Sequence, residues 1–127
     1  MPIINTWFDD EQTIFFTRVN GKWTLDELYT EFEKGIQMIR EVDHPVVLII
    51  DLRASSSPPR QFMSAGRRLG SNRPDHLVRI IMVNNDRLMQ MLMDVIGKIY
   101  ASERRPLFFN DADEAIQAAT EALARHG

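Results

Sequence analysis

Three consecutive serines follow a strongly apolar segment and are flanked by arginines, which makes this part of the chain the best suited to chemistry. Hydroxyl groups at a helix amino terminus, with backbone N–H groups and arginines nearby, favour a bound phosphate or a phosphorylated serine. Ordinary capping and turn structure is the alternative interpretation, because serine favours both. The candidate binding or phosphorylation loop comprises Asp51, Arg53, Ser55, Ser56, Ser57 and Arg60.

Asp51 is also the candidate for acid–base chemistry. It lies near the carboxyl end of the apolar run Val46–Leu52, and open α/β sheets place their sites at that end of their strands. An aspartate in such a place more often caps a loop or pairs with an arginine, here Arg53 or Arg79. The chain contains no Gly-x-Ser-x-Gly elbow and no glycine-rich phosphate loop after a strand. We therefore expect the protein not to be an enzyme.

The histidines do not form a recognisable metal site. His44, His76 and His126 fall in a turn, at a strand start and at the terminus, and none has the spacing of a known ligand pattern. The chain also has no cysteine, which removes disulfides, thiolate ligands and cysteine nucleophiles. We expect neither a metal ion nor a cofactor.

Charge is unevenly distributed along the chain. Residues 1–52 carry four basic and ten acidic side chains, whereas residues 53–79 carry six arginines and one aspartate. This basic patch includes Arg67 and Arg68, and we expect it to pair with the acidic first helix or with a partner subunit. Binding of a carboxylate or phosphate is the alternative. The overall net charge of −3 argues against nucleic-acid binding.

The elements that must position these residues are predicted from apolar patterning. The continuous apolar run Val46–Leu52 is typical of a strand buried on both faces of a sheet. Thr24 and Glu27 form a capping box at the start of the first helix, and Trp23 and Leu28 can form a hydrophobic staple there. The last helix is predicted to have a small inner face, made of Ala112, Ala115, Ile116, Ala119 and Leu123. The predicted strands cover residues 3–8, 13–19, 46–52, 76–83 and 107–109, and the predicted helices begin at Thr24, Ser57, Asn84 and Asp111 and end near residues 43, 70, 102 and 125.

The third predicted helix is apolar around more of its circumference than one buried face requires. We expect it to pack on the sheet with one face and on a second subunit with the other, which predicts a homodimer. A deep ligand groove is the alternative. The candidate dimer residues are Met89, Met91, Met93 and Tyr100.

The whole chain is predicted to form one domain over residues 1–127, of the α/β class. The expected order is β-β-α-β-α-β-α-β-α, with a mixed, mostly parallel sheet and helices packed on it. No apolar run is long enough to cross a bilayer, and no signal peptide is visible, so we expect a cytoplasmic protein.

This order resembles the STAS domain, the SpoIIAA-like fold of bacterial anti-sigma-factor antagonists. The matching features are Asn20-Gly21, predicted to form a tight turn that accepts positive φ, the helix beginning at Thr24, the strand Val46–Leu52, and Leu107–Phe109 followed by Asp111. The resemblance implies the fold and a non-catalytic regulatory or scaffold role in binding a protein partner, such as a kinase or a sigma-factor regulator. A module that binds a small anion or a phosphorylated ligand at the loop from Ser55 to Arg60 is the alternative, and an uncharacterised enzyme is the third candidate.

The chain departs from the regulatory motif of that family. In the family, Asp-Leu-Ser is followed after a few residues by Asp-Ser-Ser-Gly, and a serine there is phosphorylated. Here Arg53 replaces the first serine, no aspartate directly precedes Ser55, and Pro58-Pro59 stands where Ser-Gly is expected. The resemblance therefore implies the fold and a binding role, but not the phosphorylation switch.

Overall fold

The structure, a computed structural model, describes residues 2–56, 73–84 and 107–126. The predicted second and third helices lie outside these residues. The described elements are, in chain order, β1 (Ile3–Trp7), β2 (Ile14–Gly21), α1 (Leu25–Arg40), β3 (Val46–Ser55), β4 (Leu77–Val83), β5 (Leu107–Phe109) and α2 (Ala112–His126).

The five described strands form one sheet whose spatial order follows the chain order, β1-β2-β3-β4-β5. β1 runs antiparallel to β2, and every later neighbouring pair is parallel. The predicted mixed, mostly parallel sheet is confirmed. β3 is the central strand and the longest, which agrees with its continuous apolar sequence.

β3 is buried on both faces because a helix packs on each side of the sheet. On one side α1 packs through Ile36 and Ile39 against a cluster that includes Phe15 and Leu48. On the other side α2 packs on the half of the sheet formed by β3, β4 and β5. Its contact surface is made of small residues centred on Ala115 and Ala119, with Ile49, Ile81 and Val83 opposite them. The predicted small inner face of the last helix is confirmed.

α1 begins where the sequence predicts. The hydroxyl of Thr24 accepts a hydrogen bond from the backbone N–H of Glu27 at 3.1 Å, and the Glu27 carboxylate accepts one from the N–H of Thr24 at 3.0 Å. Both partners of the capping box are therefore satisfied. Trp23 is buried in the core cluster against which Leu28 packs, as expected for a hydrophobic staple. The helix ends at Arg40, a little before the predicted end near Asp43.

Two boundary predictions near the site were wrong. The central strand was expected to end at Leu52, but β3 continues to Ser55. Asn20-Gly21 was expected to form a tight turn, but both residues remain in β2 and pair with the end of β3, Asn20 with Ala54 and Gly21 with Ser55. The cause is mutual, since each segment supplies the hydrogen-bonding neighbour that keeps the other extended. Gly21 does adopt the expected positive φ, +60°, directly before the chain enters α1.

Candidate functional site

Asp51 is a buried acid in the carboxyl-terminal half of the central strand. Its side chain lies on the α2 side of β3, between Arg18 on β2 and Val83 on β4, its neighbours in the sheet. Only 4% of the residue is exposed. A carboxylate removed from water to this extent requires compensating hydrogen bonds or charges.

Arg53 supplies most of that compensation. Residues two apart on a strand point to the same face, so its guanidinium can fold back over the carboxylate. Arg53 Nε donates to Asp51 Oδ1 and Nη2 donates to Oδ2, both at 2.9 Å, which is a bidentate pair. The backbone N–H of Arg53 donates to Oδ1 at 3.1 Å, and Arg18 Nε lies 4.0 Å from Oδ2. The predicted Asp51–Arg53 pair is confirmed.

The pair shifts the titration of both groups. Burial alone would raise the pKa of Asp51, but the hydrogen bonds from Arg53 and the charges of Arg53 and Arg18 outweigh it, so the pKa lies below its ordinary value. The hydrogen bond to Asp51 raises the pKa of Arg53 despite partial desolvation, with further help from the charges of Asp51, Asp111 and Asp113. An aspartate that holds its charge so firmly and accepts hydrogen bonds on both oxygens is poorly suited to act as a base.

Ser55 links the end of β3 to the residues that precede α1. Its hydroxyl accepts a hydrogen bond from the indole Nε1 of Trp23 at 2.6 Å and donates to the carbonyl of Ser56 at 2.8 Å. The N–H of Ser56 in turn donates to the carbonyl of Gly21 at 2.9 Å. Ser55 is the last residue of β3, and the predicted helix that Ser57 would cap lies outside the described residues. Ser56 follows Ser55 and is exposed.

The structure thus brings together Asp51, Arg53 and Ser55 along one strand, with Ser56 beyond them. The remaining candidates lie outside the described residues and stay predictions. They are Ser57, Arg60, Arg67 and Arg68 of the loop and basic patch, and Met89, Met91, Met93 and Tyr100 of the expected dimer helix.

The β1 edge of the sheet carries an exposed apolar surface that was not predicted from the sequence. Ile4 is 49% exposed and Phe8 is 50% exposed, on the face of β1 that points away from α1. The ring of Phe8 lies 6.4 Å from that of Phe16 on β2, and the guanidinium of Arg18 lies 6.0 Å from the Phe16 ring centroid. We call Ile4, Phe8, Phe16 and Arg18 the open face. The uniformly apolar run Trp7-Phe8, after Ile3-Ile4, was the available signal, because apolar side chains on both parities cannot all face one helix.

Neither described helix is long and apolar enough to span a bilayer. Within residues 2–56, 73–84 and 107–126, no three histidine, aspartate or glutamate side chains come close enough together to hold a metal ion.

The architecture matches that of a known fold. No protein-family model matches this sequence, and a search of curated proteins found no match. Among solved structures, an uncharacterised protein of the DUF3478 family with a SpoIIAA-like fold, from Shewanella loihica PV-4, superposes with a TM-score of 0.69. The two sequences are 14% identical, and the match covers 92% of this chain and 93% of the other. The chain therefore has a SpoIIAA-like α/β fold, and the resemblance stated from its sequence is confirmed at the level of the fold.

Proposed function

We propose that this protein is a non-catalytic regulatory or scaffold module that binds a protein partner. The observation that carries the proposal is the open face, where Ile4 and Phe8 each leave about half of their surface in water. Exposed apolar side chains that lie side by side, with a polar or charged group at the rim, are typical of protein-binding surfaces. Arg18 supplies that rim charge, and arginine is one of the residue types enriched among the residues that dominate such interfaces.

The chemistry of the central strand supports the non-catalytic part of the proposal. Asp51 has a lowered pKa and a bidentate arginine partner, so its role is to hold Arg53 at the carboxyl-terminal end of β3. The same pairing weakens the case for an anion site at this point, because the guanidinium of Arg53 is already occupied and the Ser55 hydroxyl is bonded to Trp23. Anion binding at the loop from Ser55 to Arg60 stays a prediction, and the contacts made by Arg53 and Ser55 weigh against it.

Photo-cross-linking tests the proposal directly. A photoreactive phenylalanine analogue placed at Phe8 is expected to form adducts with a discrete partner in the cells that naturally contain the protein. The matched control places the same analogue at Gln117, an exposed residue of α2 that is not part of the open face. Adducts that are absent from position 8, or equally abundant from both positions, would contradict a partner-binding role for the open face. A homodimer through the third predicted helix and a cytoplasmic location stay separate predictions.

A further inference from the structure

The outer edge of β1 offers backbone groups for another strand. In the sheet formed by the described residues, β1 is the first strand and has a neighbour on one side only. The N–H of Phe8 donates to the carbonyl of Ile14, and the carbonyl of Pro2 accepts from the N–H of Asn20, so even-numbered residues bond to β2. In an antiparallel pair the backbone N–H and C=O groups of the alternate residues then point away from the neighbouring strand. The outward groups belong to Ile3, Asn5 and Trp7, of which the Trp7 carbonyl has a 3.3 Å contact from the Thr6 hydroxyl.

β1 lacks the charged residues, prolines and bulges that often protect an edge strand. Its sequence, Ile-Ile-Asn-Thr-Trp, contains no charged residue and no proline, and its pairing with β2 continues without a register shift from Ile3 to Trp7. Natural sheets protect their edges with lysine, proline, bulges or very short strands. The opposite described edge, β5, has only three residues. The unprotected edge of β1 is therefore the one suited to strand addition.

The two sides of this edge differ in chemistry. On the α1 side, a groove of about 280 Å³ is lined by Pro2, Ile3, Asp26, Glu27, Thr30 and Glu31. Glu31 is paired with Lys34 at 3.1 Å, so Asp26 and Glu27 are the carboxylates that carry the groove's excess negative charge. On the other side lie the exposed Ile4 and Phe8 of the open face.

We propose that the outer edge of β1 binds an extended segment of a partner protein in which basic and apolar residues alternate. Side chains of an added strand alternate between the two faces of the sheet. One set enters the acidic groove beside Asp26 and Glu27, and the other set covers Ile4 and Phe8. The proposal rests on the proposed function and specifies the surface and the chemistry of the partner.

Charge separates this occupant from a second copy of the chain. A second copy would pair through its own β1, whose residues facing the α1 side are Ile3, Asn5 and Trp7. None of these is basic, Ile3 is only 2% exposed, and Trp7 is packed edge-on against Phe15 with ring centroids 5.0 Å apart. Self-pairing would therefore bring no basic side chain of β1 to the carboxylates of the groove.

The test uses synthetic peptides and the full chain. The probe is a fluorescein-labelled, N-acetylated heptapeptide in which lysine and valine alternate, and binding is followed by fluorescence anisotropy. We expect saturable binding that weakens as salt is added, and at least about tenfold weaker binding by the same peptide with glutamate in place of lysine. Two further peptides are N-methylated on alternate amides. Methylation of the set that faces β1 should abolish binding, and methylation of the other set should preserve it, because only one set donates to the edge.

Two charge variants locate the peptide on the protein. Thr30→Lys adds a cation to the groove and should weaken binding by about three- to fivefold, the effect of one exposed charge. Gln117→Lys adds the same charge to the exposed surface of α2 and should leave the affinity unchanged. Equal effects of the two variants, equal binding of the lysine and glutamate peptides, or indifference to both methylation patterns would overturn the proposal.

The remaining outcomes distinguish this site from the proposed function. If no peptide binds but a cross-link from position 8 still captures a partner, the function stands and the β1 edge is not its site. If neither experiment gives a signal, both proposals fail. If the protein alone forms a concentration-dependent dimer that Ile4→Lys disrupts, a second copy is the occupant and the basic-segment proposal is wrong.

Discussion

Trp23 donates its indole N–H to the hydroxyl of Ser55, 2.6 Å away and 32 positions along the chain. This bond joins the residue that precedes the cap of α1 to the last residue of β3. The backbone bond from Ser56 to Gly21 lies beside it. The serine that the sequence marks as a candidate for modification is thereby part of the framework that holds the first helix against the central strand.

Ser55→Ala should lower the free energy of unfolding by about 0.5–1.5 kcal/mol, the usual net contribution of one hydrogen bond. Ser56→Ala is the matched control and should change it by less than about 0.5 kcal/mol, because Ser56 is exposed and its bond to Gly21 uses the backbone. Urea unfolding measures both. A loss for Ser56→Ala as large as that for Ser55→Ala would contradict the role assigned to the Trp23–Ser55 bond.

Gly35→Ala should destabilise the protein even though alanine is the better helix former. An added Cβ would lie 3.2 Å from Cε1 of Phe15 and 3.4 Å from Oδ1 of Asn5. Phe15 is fully buried and its ring is packed against Trp7, so it has little room to move. Overpacking costs about 1–3 kcal/mol against a propensity gain of about 1 kcal/mol. We expect a net loss of about 1 kcal/mol in denaturant unfolding.

Thr30→Ala on the exposed surface of the same helix is the control for that experiment. It replaces one side chain by the best helix former without filling a packed site, so it should leave stability unchanged or slightly higher. A stabilising effect of Gly35→Ala similar to that of Thr30→Ala would show that the contact with Phe15 relaxes freely.

Arg53→Ala should lower the unfolding free energy by about 2 kcal/mol at neutral pH, because it leaves the buried Asp51 carboxylate with one distant cation, Arg18. Lys22→Ala removes the same charge from an exposed position and should change stability by less than about 0.5 kcal/mol. Thermal or urea unfolding of both variants provides the comparison. Similar losses would show that net charge, and not the bidentate pair, is responsible.

The same pair predicts an acid dependence of stability. The pKa of Asp51 in the folded protein lies below its ordinary value of 3.8, because hydrogen bonds and the charges of two arginines outweigh burial. A lowered pKa stabilises the fold above 3.8, and this contribution is lost as the pH falls through the folded value. The wild type should therefore lose stability more steeply below about pH 4 than Asp51→Asn does. Parallel acid unfolding curves for the two proteins would contradict this prediction.

The neighbouring isoleucines of β1 should respond very differently to truncation. Ile3→Ala should cost about 2–4 kcal/mol, because Ile3 is 2% exposed and belongs to the core cluster around Trp23. Ile4→Ala should cost less than about 1 kcal/mol, because Ile4 is 49% exposed. Chemical denaturation of the two variants measures the difference. A large cost for Ile4→Ala would show that the open face is covered and would remove the basis of the proposed binding role.

Local signals in the sequence were sufficient for the beginnings of elements and for the type of sheet. Thr24 and Glu27 marked the start of α1, since a capping box depends on residues only three apart. Val46–Leu52 was assigned to a doubly covered strand from its apolar run alone, and the fold class followed from that strand and its neighbours. The pairing of Asp51 with Arg53 was also accessible, because it joins residues two apart on one strand.

The sequence alone determined features that arise within a few consecutive residues, namely the capped helix and the buried central strand. It offered Arg53 and Arg79 as partners of Asp51, and the tertiary structure shows Arg53 in that role. Tertiary structure alone decided where β3 ends, what Ser55 contacts and which face of β1 remains in water. Strand ends depend on a hydrogen-bonding neighbour, and β3 extends to Ser55 because Asn20 and Gly21 lie beside it. Likewise, Ile3 and Ile4 are identical in sequence terms, and only the position of α1 on one side of the sheet buries the first and exposes the second.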